Sequence, residues 1–192
     1  MLPGSSHLLL SATMAALKKS IPAHSIVWNA VNNLHVTLQF LNGLQQKHTS
    51  ALIDHVRSQL KNMPAFQLKL GDLEMFPTLE HPRIISLTVE PQAVLMELSN
   101  TIGQAISALG YPVESRLFQG HITFGRLHHY KPKAALLSQI HLPDIPAITI
   151  DKVYLVESKP DQKGSNYHIL AQFDLICFNN RANAADADIS PV

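Results

Sequence analysis

The sequence predicts an α+β fold with two pseudo-symmetric lobes, whose antiparallel sheets face each other across a central cleft with helices outside. Strand-like segments outnumber helical ones, and they lack the regular strand–helix alternation of a parallel, doubly wound sheet. The order of elements also repeats weakly between the two halves of the chain. Each half contains one His-x-Thr tripeptide set in an apolar run, at residues 35–37 and 121–123.

Composition indicates one folded domain. The chain has 192 residues, of which 46% are hydrophobic and 15% charged, enough to bury a sizeable core. We expect a single bilobal domain over residues 7–178, a disordered leader over residues 1–6 and a disordered tail over residues 179–192. A single cysteine excludes an internal disulfide and favours a cytoplasmic location, and the apolar run near residues 8–16 is too short to span a membrane.

The first half is predicted from its periodicities. Apolar alternation and turn residues indicate strands, whereas Leu52, Val56 and Leu60 recur at helical spacing. The predicted strands are residues 7–12, 34–41, 65–70 and 83–90, and the predicted helices are residues 14–20 and 48–62.

The second half follows the same order of elements. Its strongest helical stripe comprises Val94, Leu98, Ile102, Ala105 and Leu109, and Gly110 ends it. The predicted helices are residues 92–109 and 132–140, and the predicted strands are residues 121–127, 148–157 and 167–178, with an extended stretch over residues 112–118.

The two tripeptides carry the candidate chemistry. In a strand, alternate residues share a face, so His35 and Thr37 point one way, as do His121 and Thr123. Histidine titrates near neutral pH, so one ring can accept a proton while another donates one, as splitting a phosphodiester requires. The threonine hydroxyls can donate to phosphate oxygens. Arg126 adds a positive charge only if a bulge or a strand end at Gly125 turns it onto the same face.

Other residue types are weaker candidates. His128 and His129 are neighbours that would face opposite ways in a strand, and His48 and His55 lack a third ligand, so we expect no metal and no other cofactor. We expect Cys177 to be a buried structural thiol. Phe40 and Trp28 could stack on a base, although core packing is the better interpretation of Phe40.

Residues 34–43 and 116–127 resemble the paired His-x-Thr-x motifs of the 2H phosphoesterase superfamily. They are most similar to its bacterial RNA 2′,3′-cyclic phosphodiesterases, also called 2′-5′ RNA ligases. The resemblance extends through residues 76–85, 153–158 and 167–170. It implies that His35 is the proton donor and His121 the proton acceptor, with Thr37 and Thr123 holding the phosphate. One departure is Gly120, where the family usually has proline.

The resemblance implies hydrolysis of a terminal 2′,3′-cyclic phosphate to a 2′-phosphate, with possible reverse 2′-5′ ligation. We expect the partners to be RNA or oligonucleotide ends. A formal charge of +1 excludes an extended basic surface for long nucleic acid, and we expect a monomer without membrane association. The alternatives are a 2′-5′ oligonucleotide or other nucleotide phosphodiesterase, and a non-catalytic module that binds RNA ends.

Overall fold

The fold combines three α-helices with two antiparallel sheets among the residues that the structure describes, which confirms the predicted class. The structure is a computed structural model that describes residues 2, 4–114, 116–128, 137, 140, 142–161 and 164–177. The helices are α1 His7–Ser20, α2 Thr49–Leu60 and α3 Gln92–Ser107. The strands are β1 Ile26–Trp28, β2 Phe66–Phe76, β3 Ile84–Glu90, β4 His121–Leu127, β5 Ile148–Ile150, β6 Lys152–Asp161 and β7 Gly164–Asp174.

The first lobe is a five-stranded sheet packed against α1. Its strand order is β1-β4-β3-β2-β5, so β4 has neighbours on both sides. One face of the sheet carries Ile85, Leu87, Ile122 and Phe124, all fully buried. These side chains form a single cluster with the apolar stripe of α1, which covers that face. The opposite face is therefore left to carry polar residues.

The second lobe has a separate core formed by α2, α3 and the β6–β7 hairpin. Leu52, Val56 and Leu60 of α2 pack with the buried stripe of α3, as their four-residue spacing predicts. Val153 and Phe173 close this cluster from the hairpin. Two cores in one chain correspond to the two predicted lobes.

The lobes are joined at Asp151, where the chain passes from one sheet to the other. The strand predicted over residues 148–157 is two strands: β5 pairs with β2 of the first sheet, and β6 pairs with β7. The carbonyl of Asp151 accepts a hydrogen bond of 2.8 Å from the amide of Leu175. Since a single residue separates β5 from β6, the hairpin follows the edge of the first sheet closely.

The strand prediction for residues 7–12 is wrong, because these residues begin α1. Leu10, Met14 and Leu17 recur at three- and four-residue spacing, and all three are buried. Leucine and alanine favour helices, and the segment has no β-branched residue. Burial on one helical face therefore decides the conformation of a run that is too apolar to show strand alternation.

The prediction of a regular strand over residues 34–41 is also wrong. Only Val36 pairs, through an isolated antiparallel bridge to Ile122 of β4. Beyond it, Gln39 donates from Nε2 to the carbonyl and the hydroxyl of Ser99 on α3, at 3.0 and 2.9 Å. Ser99 in turn donates to the carbonyl that precedes Gln39, at 2.7 Å. Side-chain bonds to a helix thus replace the ladder that the alternation predicts.

Three further predictions concern the two chain ends and the helix over residues 132–140. The described part of the predicted disordered leader includes Leu2, which is buried in the first core and whose amide donates to the carbonyl of Leu34. An apolar side chain of the predicted leader therefore has a place in the first core. The predicted tail lies outside the described residues, as does nearly all of the predicted helix over residues 132–140. Among described helices, none is both long and apolar enough to cross a membrane.

Candidate active site

The bridge between Val36 and Ile122 aligns the two tripeptides side by side. In antiparallel register, it sets His35 opposite Thr123 and Thr37 opposite His121. The buried Ile122 points into the first core, so its neighbours on β4 point to the other face of the sheet. The two histidines are then diagonal neighbours, which are about 7–8 Å apart in an antiparallel pair, with the Cβ atoms somewhat closer. All four candidate side chains share one face.

The His35 ring is held by the second lobe. Its Nδ1 lies 2.7 Å from the carbonyl oxygen of Asn33, and its ring meets Tyr167 of β7 edge to face, with centroids 5.1 Å apart. The side-chain amide of Asn33 donates to the carbonyl of Ser165, at 2.8 Å. The hairpin therefore contacts both the ring and the residue that accepts its hydrogen bond.

The His121 ring has the same two kinds of contact, supplied by the first lobe. Its Nδ1 lies 2.9 Å from the carbonyl oxygen of Gln119, and its ring stacks on Phe76 of β2, with centroids 4.7 Å apart. Phe76 is two strands away from β4, so the stacking requires this face of the sheet to be concave. The histidines thus repeat one arrangement: a hydrogen bond to the carbonyl two residues before, and one aromatic neighbour.

These contacts determine which nitrogen atoms can do chemistry. A carbonyl oxygen only accepts hydrogen bonds, so Nδ1 is the protonated nitrogen in each ring. Each Nε2 then accepts a proton when the ring is neutral and donates one when it is charged. Within the described part of the chain, no hydrogen bond occupies either Nε2 or the hydroxyl groups of Thr37 and Thr123.

Burial lowers the pKa of His35 below its ordinary value of 6.5. The hydrogen bond to the carbonyl of Asn33 opposes this by favouring the charged ring, and a positive charge on His121 lowers the pKa further. The mutual repulsion agrees with the diagonal placement of the two rings. The lowered pKa favours the neutral form of His35, and the negative charge of a bound phosphate would favour the protonated form.

Arg126 lies on the same face as the motif residues because β4 contains the expected bulge. Ile85 pairs with Gly125, whereas Ser86 pairs with Thr123, so β4 has one extra residue at this point. Gly125 then faces the core, where a Cβ atom would lie 2.7 Å from the side chain of Ile26. The next residue, Arg126, turns to the opposite face and is exposed.

Gly120 is held by a residue that the motifs do not include. Its amide donates to Oε1 of Gln92, and its carbonyl accepts from Nε2 of the same side chain, both at 2.8 Å. A Cβ atom at this position would lie 2.8 Å from the side chain of Leu95. Proline, which the 2H phosphoesterases usually have here, has no amide hydrogen. It could not donate the hydrogen bond to Gln92 that holds the residue before His121 in this chain.

A cavity of about 1100 Å³ opens beside His35 and Thr37. Tyr167 lines it near the surface, and buried leucines of α2 and α3 line it deeper inside. His121 and Thr123 are not part of its lining. Because the deep lining is apolar, a phosphate is better accommodated on the open face between the motifs than inside this cavity.

The other candidate residues fare differently. Among the described residues, no group of three or more metal-ligating side chains occurs. Cys177 is exposed rather than buried, because β7 ends at Asp174 and its alternation of buried residues continues only to Leu175. Phe40 is 68% exposed, so the core-packing interpretation is wrong, whereas Trp28 packs against the first core.

Several residues that contact the motifs were missed. Tyr167, Phe76 and Gln92 come from distant elements, and their local sequence gives no sign of the contact. Gln39 could have been found, because it follows His35 and Thr37 on the same alternating face. Its Oε1 atom is buried without a hydrogen-bond partner among the described residues.

Comparisons with known proteins agree with the geometry. A family model described as the 2′-5′ RNA ligase superfamily matches residues 13–162. The chain is similar to an RNA 2′,3′-cyclic phosphodiesterase of Thermotoga maritima, at 28% identity over 144 residues, covering 74% of this chain and 76% of that protein. It is also similar to an RNA 2′,3′-cyclic phosphodiesterase of Aquifex aeolicus, at 26% identity, covering 77% of this chain and 81% of that protein.

Solved structures share the fold. E. coli LigT complexed with 3′-AMP matches with a TM-score of 0.70 and 23% identity, covering 91% of this chain and 94% of that one. The protein TT0787 of Thermus thermophilus matches with a TM-score of 0.69 and 21% identity, covering 91% of this chain and 93% of that one. At these identities the likeness concerns the fold alone.

Proposed function

The chain belongs to the 2′-5′ RNA ligase superfamily, and from this premise we propose that it is a metal-independent RNA 2′,3′-cyclic phosphodiesterase. It opens a terminal 2′,3′-cyclic phosphate and leaves a 2′-phosphate. Its substrates are RNA or oligonucleotide ends, and the names of the relatives from Thermotoga maritima and Aquifex aeolicus support this substrate class.

The observation that carries the proposal is the bridge between Val36 and Ile122. It places two histidines from distant parts of the chain on one face, each with Nδ1 bonded to a carbonyl oxygen. An acid and a base are needed on opposite sides of phosphorus, and a diagonal pair leaves room for the phosphate between them.

In the proposed mechanism, Nε2 of His121 accepts a proton from water as the water oxygen attacks phosphorus. The bond from phosphorus to the ribose 3′ oxygen breaks, and Nε2–H of His35 protonates that oxygen. After turnover His121 is charged and His35 neutral, and exchange with solvent restores both rings. With a 5′-hydroxyl group in place of water, the same step would form a 2′-5′ linkage: His121 accepts the proton of that hydroxyl group, and His35 protonates the departing 3′ oxygen.

Thr37 and Thr123 stabilise the phosphate in this proposal. Each lies opposite one histidine, so their hydroxyl groups can donate to the two non-bridging oxygens. Arg126 adds positive charge from the same face, beyond the bulge. Two hydroxyl donors and one exposed cation suit a single phosphate group rather than a long nucleic-acid backbone.

The test is incubation with adenosine 2′,3′-cyclic phosphate in EDTA and without ATP. We expect turnover that yields adenosine 2′-phosphate, which chromatography separates from the 3′ isomer. His35→Ala and His121→Ala should each lower kcat by about 10²- to 10⁴-fold, the usual contribution of a positioned acid or base. His55→Ala, on the exposed side of α2, is the matched control.

The outcomes separate the alternatives. Turnover of 2′-5′ dinucleotides with no action on the cyclic phosphate would assign the site to the alternative phosphodiesterase. Binding of adenosine 2′-phosphate without any turnover would assign it to a non-catalytic module. Full activity in either histidine variant would remove that histidine from the mechanism.

A further inference from the structure

Each candidate catalytic ring has one aromatic neighbour, and the two neighbours come from different lobes. Phe76, at the end of β2, stacks on His121 with an interplanar angle of 24°. Tyr167, near the start of β7, meets His35 at 71°. Both aromatic residues lie near the turn of a two-stranded hairpin, since Phe76 pairs with Ile84 and Tyr167 pairs with Ser158.

A hydrogen bond at Nδ1 does not fix the orientation of an imidazole ring completely. The bond selects which nitrogen faces the carbonyl, yet the terminal torsion of histidine has a broad minimum, so the ring plane can still tilt. Tilting moves Nε2, the atom that must exchange the proton. An aromatic ring in contact with the imidazole restricts that tilt. We propose, on the basis of the function proposed above, that Tyr167 and Phe76 are positioning residues, each orienting one motif histidine.

The two positioning contacts are anchored differently. Phe76 is part of a continuous ladder with β3, and its carbonyl accepts the amide of Arg83 at 2.9 Å. Tyr167 belongs to a hairpin whose link to the first motif includes the hydrogen bond from Asn33 to the carbonyl of Ser165. Asn33 also supplies the carbonyl that His35 uses. Loss of the side-chain amide of Asn33 should therefore weaken the contact between Tyr167 and His35 while leaving His121 in place.

Different substrates need the acid and the base to different degrees, so the two positioning contacts can be tested separately by kinetics. A p-nitrophenolate ion leaves without being protonated, so bis(p-nitrophenyl) phosphate needs the base but not the acid. Tyr167→Leu should lower kcat for adenosine 2′,3′-cyclic phosphate by about 10- to 100-fold, the usual effect of small displacements of a catalytic group, with KM little changed. With the nitrophenyl substrate, its kcat should stay close to that of the unchanged protein.

Phe76→Leu should instead lower kcat for both substrates, because it acts on His121, the base that both reactions need. The conservative variants Tyr167→Phe and Phe76→Tyr keep an aromatic ring and should restore activity. Tyr154→Leu, on β6 of the same hairpin, removes a tyrosine that does not contact either histidine ring and should leave kcat unchanged on both substrates. Circular dichroism confirms that each variant is folded.

Asn33→Ala provides a second route if Tyr167→Leu does not fold. It keeps the backbone carbonyl and removes the hydrogen bond from the side-chain amide to the carbonyl of Ser165. It should reproduce the substrate-dependent loss of kcat, with a smaller fold-change. An equal loss on both substrates for Tyr167→Leu, or a raised KM with unchanged kcat, would overturn the inference. Full activity of His35→Ala on adenosine 2′,3′-cyclic phosphate would instead overturn the proposed function of His35 as the acid, so the two failures can be told apart.

Discussion

His35 and His121 are held in position by different kinds of interaction. His121 begins a strand that pairs with β3 as far as Arg126 with one bulge, and the side chain of Gln92 bonds both the amide and the carbonyl of the residue before it. His35 lies in a segment with a single bridge, held by side-chain bonds to α3 and to the β6–β7 hairpin. The first half of the site depends on individual side chains, whereas the second depends on a backbone ladder.

This difference predicts where the site is easily damaged. A ladder distributes its hydrogen bonds over many residues, so one substitution removes little of it. A segment held by a few side-chain bonds loses a large share of its support with each one. Substitutions outside the motifs should therefore affect the proton donor more often than the proton acceptor.

The largest effect should come from the histidines themselves, and it should differ between them when the leaving group changes. His35→Ala and His121→Ala should both lose about 10²- to 10⁴-fold in kcat on adenosine 2′,3′-cyclic phosphate. On bis(p-nitrophenyl) phosphate, His35→Ala should recover most of its activity and His121→Ala should not. The opposite pattern would exchange the two roles.

A smaller effect should follow from Gly120→Pro, which attacks the firmer half of the site. The substitution removes the amide that donates to Gln92 and leaves that half-buried acceptor without its partner, at a cost of about 0.5–1.5 kcal/mol in the free energy of unfolding. Gly120→Ala keeps the amide and is the matched control, with close contacts to the side chains of Leu95 and Val89 to accommodate. Urea denaturation followed by circular dichroism measures both. Equal stability of the two variants would show that the hydrogen bond to Gln92 is unimportant.

The smallest effect should be the pH dependence of stability that His35 contributes. Because burial lowers its pKa in the folded protein, the unfolded chain binds more protons as pH falls through the ordinary value of 6.5. This contribution to stability is present above that value and is lost at lower pH. Thermal melts should show that the unchanged protein loses more stability than His35→Gln between about pH 8 and pH 5, on either side of the ordinary value. A greater loss in the variant would contradict the lowered pKa.

The local sequence pattern was enough to predict an element wherever that element buries one face. The strand over residues 121–127 has the predicted bounds, and α2 and α3 follow their apolar stripes. The bulge near Gly125 was also accessible from sequence, because glycine in a patterned strand suggests a close backbone approach. These features depend on side-chain periodicity alone.

The rest of the site depends on partners that are distant in the chain. The alternation around His35 indicates an extended chain but not the partner that pairs with it, so the sequence could not show that only Val36 pairs. The aromatic neighbours lie 132 and 45 residues from their histidines along the chain, by subtraction of residue numbers, and nothing local connects them. The exposure of Cys177 depends on where β7 ends, which pairing with β6 determines.

The one-residue passage through Asp151 gives the molecule a stiff mechanical link. Because no flexible linker separates β5 from β6, a movement of the hairpin must be accompanied by strain at the edge of the first sheet. The placement of Tyr167 against His35 is consequently governed by the chain's own connectivity as well as by the contact between the two rings. Lengthening this link by a few flexible residues would leave the two histidines aligned by their bridge and still let Tyr167 move away from His35.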